Sequence, residues 1–119
     1  MTAAGSVIGR LSTADDFKRV ISKGIRVRSG HLALAYLVNR VCEIRLGVNV
    51  PGHVAKSAVR RNRLKRVVRE GLRMMGGRIA GGIDMVITIS ADPGRGEGEI
   101  LRMELNELFN KSGLWGKTE

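Results

Sequence analysis

One cysteine, two prolines, two histidines and very few aromatic rings leave this chain short of the parts for several kinds of site. Cys42 has no partner for an internal disulfide, and with only His31 and His53 beside it no zinc-ligand spacing exists. Cys42 reads as a small buried residue in a strand. No apolar run approaches the ~18 to 20 residues needed to span a bilayer. Met1 to Arg10 also lacks the basic start and apolar stretch of a signal peptide. These absences predict a soluble, cytoplasmic protein with no membrane partner. Acids are scarce too: 11 Asp+Glu against 21 Lys+Arg leave a net charge of +10 on 119 residues. So large an excess on so short a chain points to a polyanionic partner, nucleic acid ahead of an anionic membrane surface.

What is present fits one domain of mixed helix and strand spanning residues 1–119. Residues 1–12 are mostly small and polar and are expected to be loosely held, with order beginning at Thr13. Thr13 followed three residues later by Asp16 is a weak capping-box signal, and Phe17, Val20 and Ile21 then recur at helical spacing up to Gly24. From Ile25 the apolar residues come in short β-branched and aliphatic runs. Val27, Leu32 to Val38 and Ile44 to Val50 are three candidate strands, with turns at Ser29-Gly30, Asn39-Arg40 and Pro51-Gly52. Ser57 to Met75 is periodic at helical spacing, with Gly76-Gly77 as its stop. Ile83 to Ser90 is a fourth strand, and Glu99 to Lys111 a final helix striped by Leu101, Leu105, Leu108 and Phe109.

On a helical wheel, Val59, Leu64, Val67, Val68, Leu72 and Met75 form an apolar arc that should face the core. Asn62, Lys65, Arg66, Arg69 and Arg73 fall opposite it, as a cationic ridge about three turns long. A basic helix face is often no more than a solvated face. Here Glu70 is the only acid between Lys56 and Arg73, so like charges crowd at i, i+3 and i+4 with few local ion pairs. Phosphates would complete such a cluster, since binding them releases counterions and the arginine fork matches their oxygens.

The string Ala58-Val59-Arg60-Arg61-Asn62-Arg63-Leu64-Lys65-Arg66-Val67-Val68-Arg69-Glu70 closely resembles the RNR motif of the protein subunit of bacterial ribonuclease P. Other blocks agree in order and spacing: Arg10-Leu11, Asp16-Phe17 with Val20, Gly24, Arg45-Leu46-Gly47 leading to Val50, and Asp84-Met85-Val86-Ile87. The resemblance spans about residues 10 to 115. It implies an α+β fold: a small α/β sandwich with a central sheet of about four strands, an N-terminal helix, a long arginine-rich helix in a left-handed crossover, and a C-terminal helix. It implies two partners, the catalytic RNA subunit and precursor tRNA, and no obligate protein partner. It also implies Mg²⁺ held mainly by the RNA, with no cofactor in the protein alone. Carried over by position, Arg61, Asn62, Arg63, Lys65, Arg66 and Arg69 match the RNA-subunit surface, and Arg73 extends the same ridge. Phe17 matches the aromatic of a cleft that takes the single-stranded 5′ leader. Where relatives carry further aromatics this chain has Ile21 and Ala35, with Tyr36 one position away. Strand alternation leaves Tyr36 facing either cleft or core. The lysine pair usual before the RNR helix is replaced by Gly52-His53.

No Ser/His/Asp set or spaced carboxylate pair suggests a catalytic centre in the protein itself, and the resemblance implies that catalysis resides in the RNA subunit. Gly94-Arg95-Gly96-Glu97-Gly98 lacks the lysine and the context of a nucleotide loop. His31 and His53 read as ordinary loop residues, and the Met74-Met75 pair as core. The same ridge would also serve a non-enzymatic RNA-binding protein, such as a ribosomal protein or an RNA chaperone. A helix-turn-helix DNA binder would need a short helix just before Ser57, where Val48 to Val54 reads as strand and turn.

Overall fold

The computed structural model of the chain describes residues 8–75 and 81–114. Eight elements follow in order: β1 (Ile8–Arg10), α1 (Ala14–Lys23), β2 (Ile25–Ser29), β3 (Leu32–Val38), β4 (Ile44–Asn49), α2 (Ala58–Met75), β5 (Ile83–Ile89) and α3 (Glu97–Ser112). The strands form one sheet in the order β1-β4-β5-β3-β2. β2 and β3 are a hairpin, β3 is antiparallel to β5, and the β1–β4 and β4–β5 pairs are parallel. α2 therefore carries the chain between two parallel neighbours. The expected α+β class holds, with five strands instead of four. The fifth is β1, which corrects the expectation that order begins at Thr13: Ile8 to Arg10 pair with Ile44 to Leu46, the Leu11 N–H donates to the Leu46 carbonyl, and Leu11 is buried. Three residues are too few to show periodicity, so only pairing with β4 reveals the strand.

Alternation along the strands divides the core in two. Leu32 and Leu34, Ile44, Leu46 and Val48, and Met85, Ile87 and Ile89 point to the face covered by α2 and α3, where Leu64, Val68, Leu72, Leu101, Leu105 and Phe109 complete the main core. On the other face Ala35 and Val86 meet Leu11 and Val20 of the α1 side, with Phe17, Ile21 and Leu37 packed around them. α1 is capped as the sequence predicts, with the Asp16 N–H donating to Thr13 Oγ1 at 3.1 Å. Its end at Gly24 has a different cause from a left-handed turn, since φ there is −81°. A Cβ on Gly24 would lie 2.5 Å from the Val20 carbonyl oxygen and 2.6 Å from that of Tyr36. Glycine is needed for close approach of α1 to β3.

Three expectations about side chains are corrected. Cys42 is exposed in the β3–β4 connection with φ 63°, not buried in a strand. Val59, in the first turn of α2, is 80% exposed and does not join the core-facing stripe of Leu64, Val68 and Leu72. Met75 is core, but Met74, one position round the helix, is 72% exposed. The expected stop at Gly76-Gly77 lies outside the described residues.

Candidate nucleic-acid interface

α2 begins at Ala58, where Ser57 Oγ accepts from the Arg60 N–H at 3.3 Å. Leu64, Val68, Gly71, Leu72 and Met75 make its buried stripe. Gly71 lets α3 come close, since a Cβ there would lie 2.8 Å from Leu105 Cδ1. With that face fixed, the cations of the helix separate into two sets.

The first set is engaged within the protein. Arg60 donates through Nε and Nη2 to Asp92 at 3.1 and 2.7 Å and also reaches the Gly94 carbonyl. Arg63 donates to the buried Glu97 at the start of α3. Arg61 Nη1 donates to the Ala55 and Lys56 carbonyls, both at 2.8 Å. The guanidinium of Arg60, with help from the Gly94 N–H, holds the Asp92 carboxyl down at about 2, and Arg63 lowers that of Glu97. Among the described residues no ion pair joins two residues of α2, but Asp92 in the β5–α3 connection and Glu97 at the start of α3 supply distant ones.

The second set is the ridge. Asn62, Lys65, Arg66, Arg69 and Arg73 line one groove of about 390 Å³, together with Glu70. Arg10 joins them from β1, because strand alternation turns it to the α2 side along with Ile8. Among the described residues none of these cations forms a salt bridge with a carboxylate. Burial and the neighbouring charge of Arg10 push the Arg69 guanidinium below its usual value. The structure thus brings together five of the seven ridge and motif residues expected to bind RNA, adds Arg10, and turns Arg61 and Arg63 to other partners.

The opposite face of the sheet carries a second surface. Asp84 lies fully buried beneath α1, accepting from Arg45 Nε and Asn39 Nδ2 on one oxygen, and from Arg45 Nη2 and Arg19 Nη2 on the other, at 2.7 to 2.8 Å. Burial opposes its ionisation, but the hydrogen bonds from Arg45, Arg19 and Asn39 win and hold the carboxyl down at about 2. Next to this network the Phe17 ring covers Gly47, and Ile21 follows one turn later over Ala35 and Val86. Beyond Ile21 the sheet is uncovered, forming a groove of about 330 Å³ floored by Ala33, Ala35, Val86 and Thr88 and bordered by Arg26 and Arg28. Phe17 and Ile21 therefore pack on the same face of the sheet, and of the two only Ile21 lines this groove. Tyr36 does not join them: it packs on the main core and its hydroxyl reaches the Ser112 carbonyl at 3.4 Å. Its placement in the cleft is corrected by strand parity, which gives that face to Ala35.

Sequence reasoning passed over Arg10, Arg26 and the Asp84 network. An acid inside the apolar run Ile83 to Ile89 was the available signal for a buried, paired charge. Residues 50–57 contain no helix, which removes the helix-turn-helix alternative.

A sandwich with a ridge of clustered cations on one side and an arginine-bordered apolar groove on the other defines a nucleic-acid-binding protein. Residues 8–113 match the protein family described as Ribonuclease P. The ribonuclease P protein component of Caldanaerobacter subterraneus subsp. tengcongensis is 28% identical over 110 residues, covering 92% of this chain and 94% of the relative. That of a Pseudanabaena species is 31% identical over 104 residues, covering 87% and 90%. Among solved structures, the Staphylococcus aureus RNase P protein has the same fold, with a TM-score of 0.79 at 21% identity over 90% of this chain and 97% of that one. The Thermotoga maritima RNase P protein gives 0.76 at 29% identity, over 86% and 96%. The chain belongs to the ribonuclease P protein family, and so is an RNA-binding component of a tRNA-processing endoribonuclease.

Proposed function

We propose that the α2 ridge binds the catalytic RNA of ribonuclease P, and that the cleft beside α1 takes the single-stranded 5′ leader of precursor tRNA while that leader is removed. The observation that carries this reading is the division of the α2 cations. Arg60 and Arg63 have carboxylate partners, whereas Arg10, Lys65, Arg66, Arg69 and Arg73 share a groove whose one acid, Glu70, forms no salt bridge with them among the described residues. Like charges held this close repel, and RNA phosphates relieve the repulsion while releasing counterions. Arg61 and Arg63 take part at the edge of the same surface, exchanging or sharing their present partners. Phe17 and Ile21 offer the leader an apolar wall.

Catalysis on this reading resides in the RNA. Among the described residues no group of three His, Cys, Asp or Glu side chains is placed to hold a metal ion. Phosphate oxygens of the RNA would supply the ligands for Mg²⁺ instead. The protein's part is to hold RNA structure and capture substrate. A cytoplasmic location goes with this role.

The test is cleavage of a precursor tRNA by a bacterial ribonuclease P RNA at low Mg²⁺, with and without the protein. Stimulated 5′ cleavage by the mixture, with none by the protein alone, is expected. Specific 5′ cleavage by RNA-free protein would overturn the assignment of catalysis, and failure to stimulate would overturn the subunit role.

A further inference from the structure

The groove beyond Ile21 lacks the side chains that usually read single-stranded RNA by stacking. Among its lining residues there is no aromatic ring, since strand positions 33 and 35 are alanines and Tyr36 faces the other way. Phe17 lies outside this part of the cleft, with its ring against Gly47. A single-stranded segment crossing here would meet methyl groups on the floor and two arginines at the edge.

Those two arginines are held differently. Arg26 turns back to the C-terminal end of α1 and donates to one acceptor, the Ile21 carbonyl, through Nε at 3.0 Å and Nη2 at 2.7 Å. That carbonyl lies in the last turn of the helix, where carbonyls lack an intrahelical partner and carry partial negative charge. Two hydrogen bonds to one oxygen fix the guanidinium plane and leave its faces uncommitted. The residue as a whole is exposed and lines the groove. Arg28, two positions along the same strand face, has no side-chain hydrogen bond among the described residues and stays free to follow a phosphate.

We infer that Arg26 is a fixed stacking platform for a leader base, standing in for the aromatic that this groove lacks. A guanidinium plane offers a π-like surface to any base and adds cation–π attraction, so it serves a sequence-tolerant site. The small floor residues Ala33 and Ala35 leave room for a purine as readily as a pyrimidine. The inference rests on the reading of the cleft as the leader site.

The experiment uses the reconstituted holoenzyme and measures equilibrium affinity for precursor tRNAs whose leaders are intact or abasic across the groove-spanning nucleotides. Arg26→Ala, Arg26→Lys and Arg26→Tyr are compared after thermal melts have shown that each is folded. Stacking predicts that Ala and Lys lose at least about fivefold on the intact leader, the low end of one stacked base. It predicts that they match the wild type on the abasic leader, and that Tyr recovers the intact-leader affinity. An Arg26→Lys variant with wild-type affinity, or an equal loss on both leaders, would reduce Arg26 to a charge and overturn the platform. If the wild-type protein binds intact and abasic leaders alike, no base stacks in the groove and the platform fails; if it binds precursor tRNA no better than mature tRNA without a leader, the leader reading of the cleft itself fails, a result separable from failure at Arg26 alone.

Discussion

The ring of Phe17 rests on Gly47 so closely that a Cβ at position 47 would overlap it. α1 thus approaches β4 only because β4 has a gap in its side chains there, and the helix's position over the sheet sets the width of the cleft. Gly47→Ala should push α1 outward and cost about 1–3 kcal/mol, as overpacking does. Adding Phe17→Leu should recover part of that loss, and urea titration of the single and double variants measures it. A Gly47→Ala protein as stable as the parent would mean that the helix is not seated on this glycine.

For the ridge, the expectation is electrostatic. Replacing Arg10, Arg66 and Arg69 with alanine should weaken binding to the RNA subunit and flatten the slope of log K against log salt by about 2 to 3 units, at roughly 0.7 to 0.9 per phosphate contact. Arg60→Ala should leave the slope unchanged, because Asp92 already neutralises that side chain. A triple variant with the parental slope would remove these residues from the interface.

Asp84 gives a pH signature. Its folded pKa, about 2, lies below the ordinary 3.8, so its contribution is complete above pH ~4 and is lost as pH falls toward 2. The size is about 2 kcal/mol. Asp84→Asn should be less stable at pH 7, since Arg19 and Arg45 lose a buried anion, and should show a shallower fall in stability between pH 4 and 2. Parallel acid profiles for parent and variant would show that the network carries no linkage.

Arg61 should behave unlike its neighbours. Its two bonds to the Ala55 and Lys56 carbonyls tie down the chain entering α2, so Arg61→Ala should lower stability by about 1 kcal/mol even without RNA. Lys65→Ala, with no such tie, should melt like the parent. Equal melting temperatures for all three proteins would put Arg61 in the ridge set.

The sequence alone determined the elements whose periodicity is long enough to read. α2 shows because Leu64, Val68, Leu72 and Met75 recur over several turns, β3 because its aliphatic run ends at turn residues, and β5 because its β-branched run does. The basic excess and the resemblance carried by residues 58–70 pointed to the family. Only the tertiary structure decided which of the α2 arginines remain available for RNA. Asp92 and Glu97 lie 32 and 34 residues from their partners Arg60 and Arg63, and no local spacing records that pairing. Tertiary packing likewise turned Tyr36 to the core and brought Arg10 to Arg69. A strand of three residues takes its register, and so the direction of its side chains, from the neighbour that it pairs with.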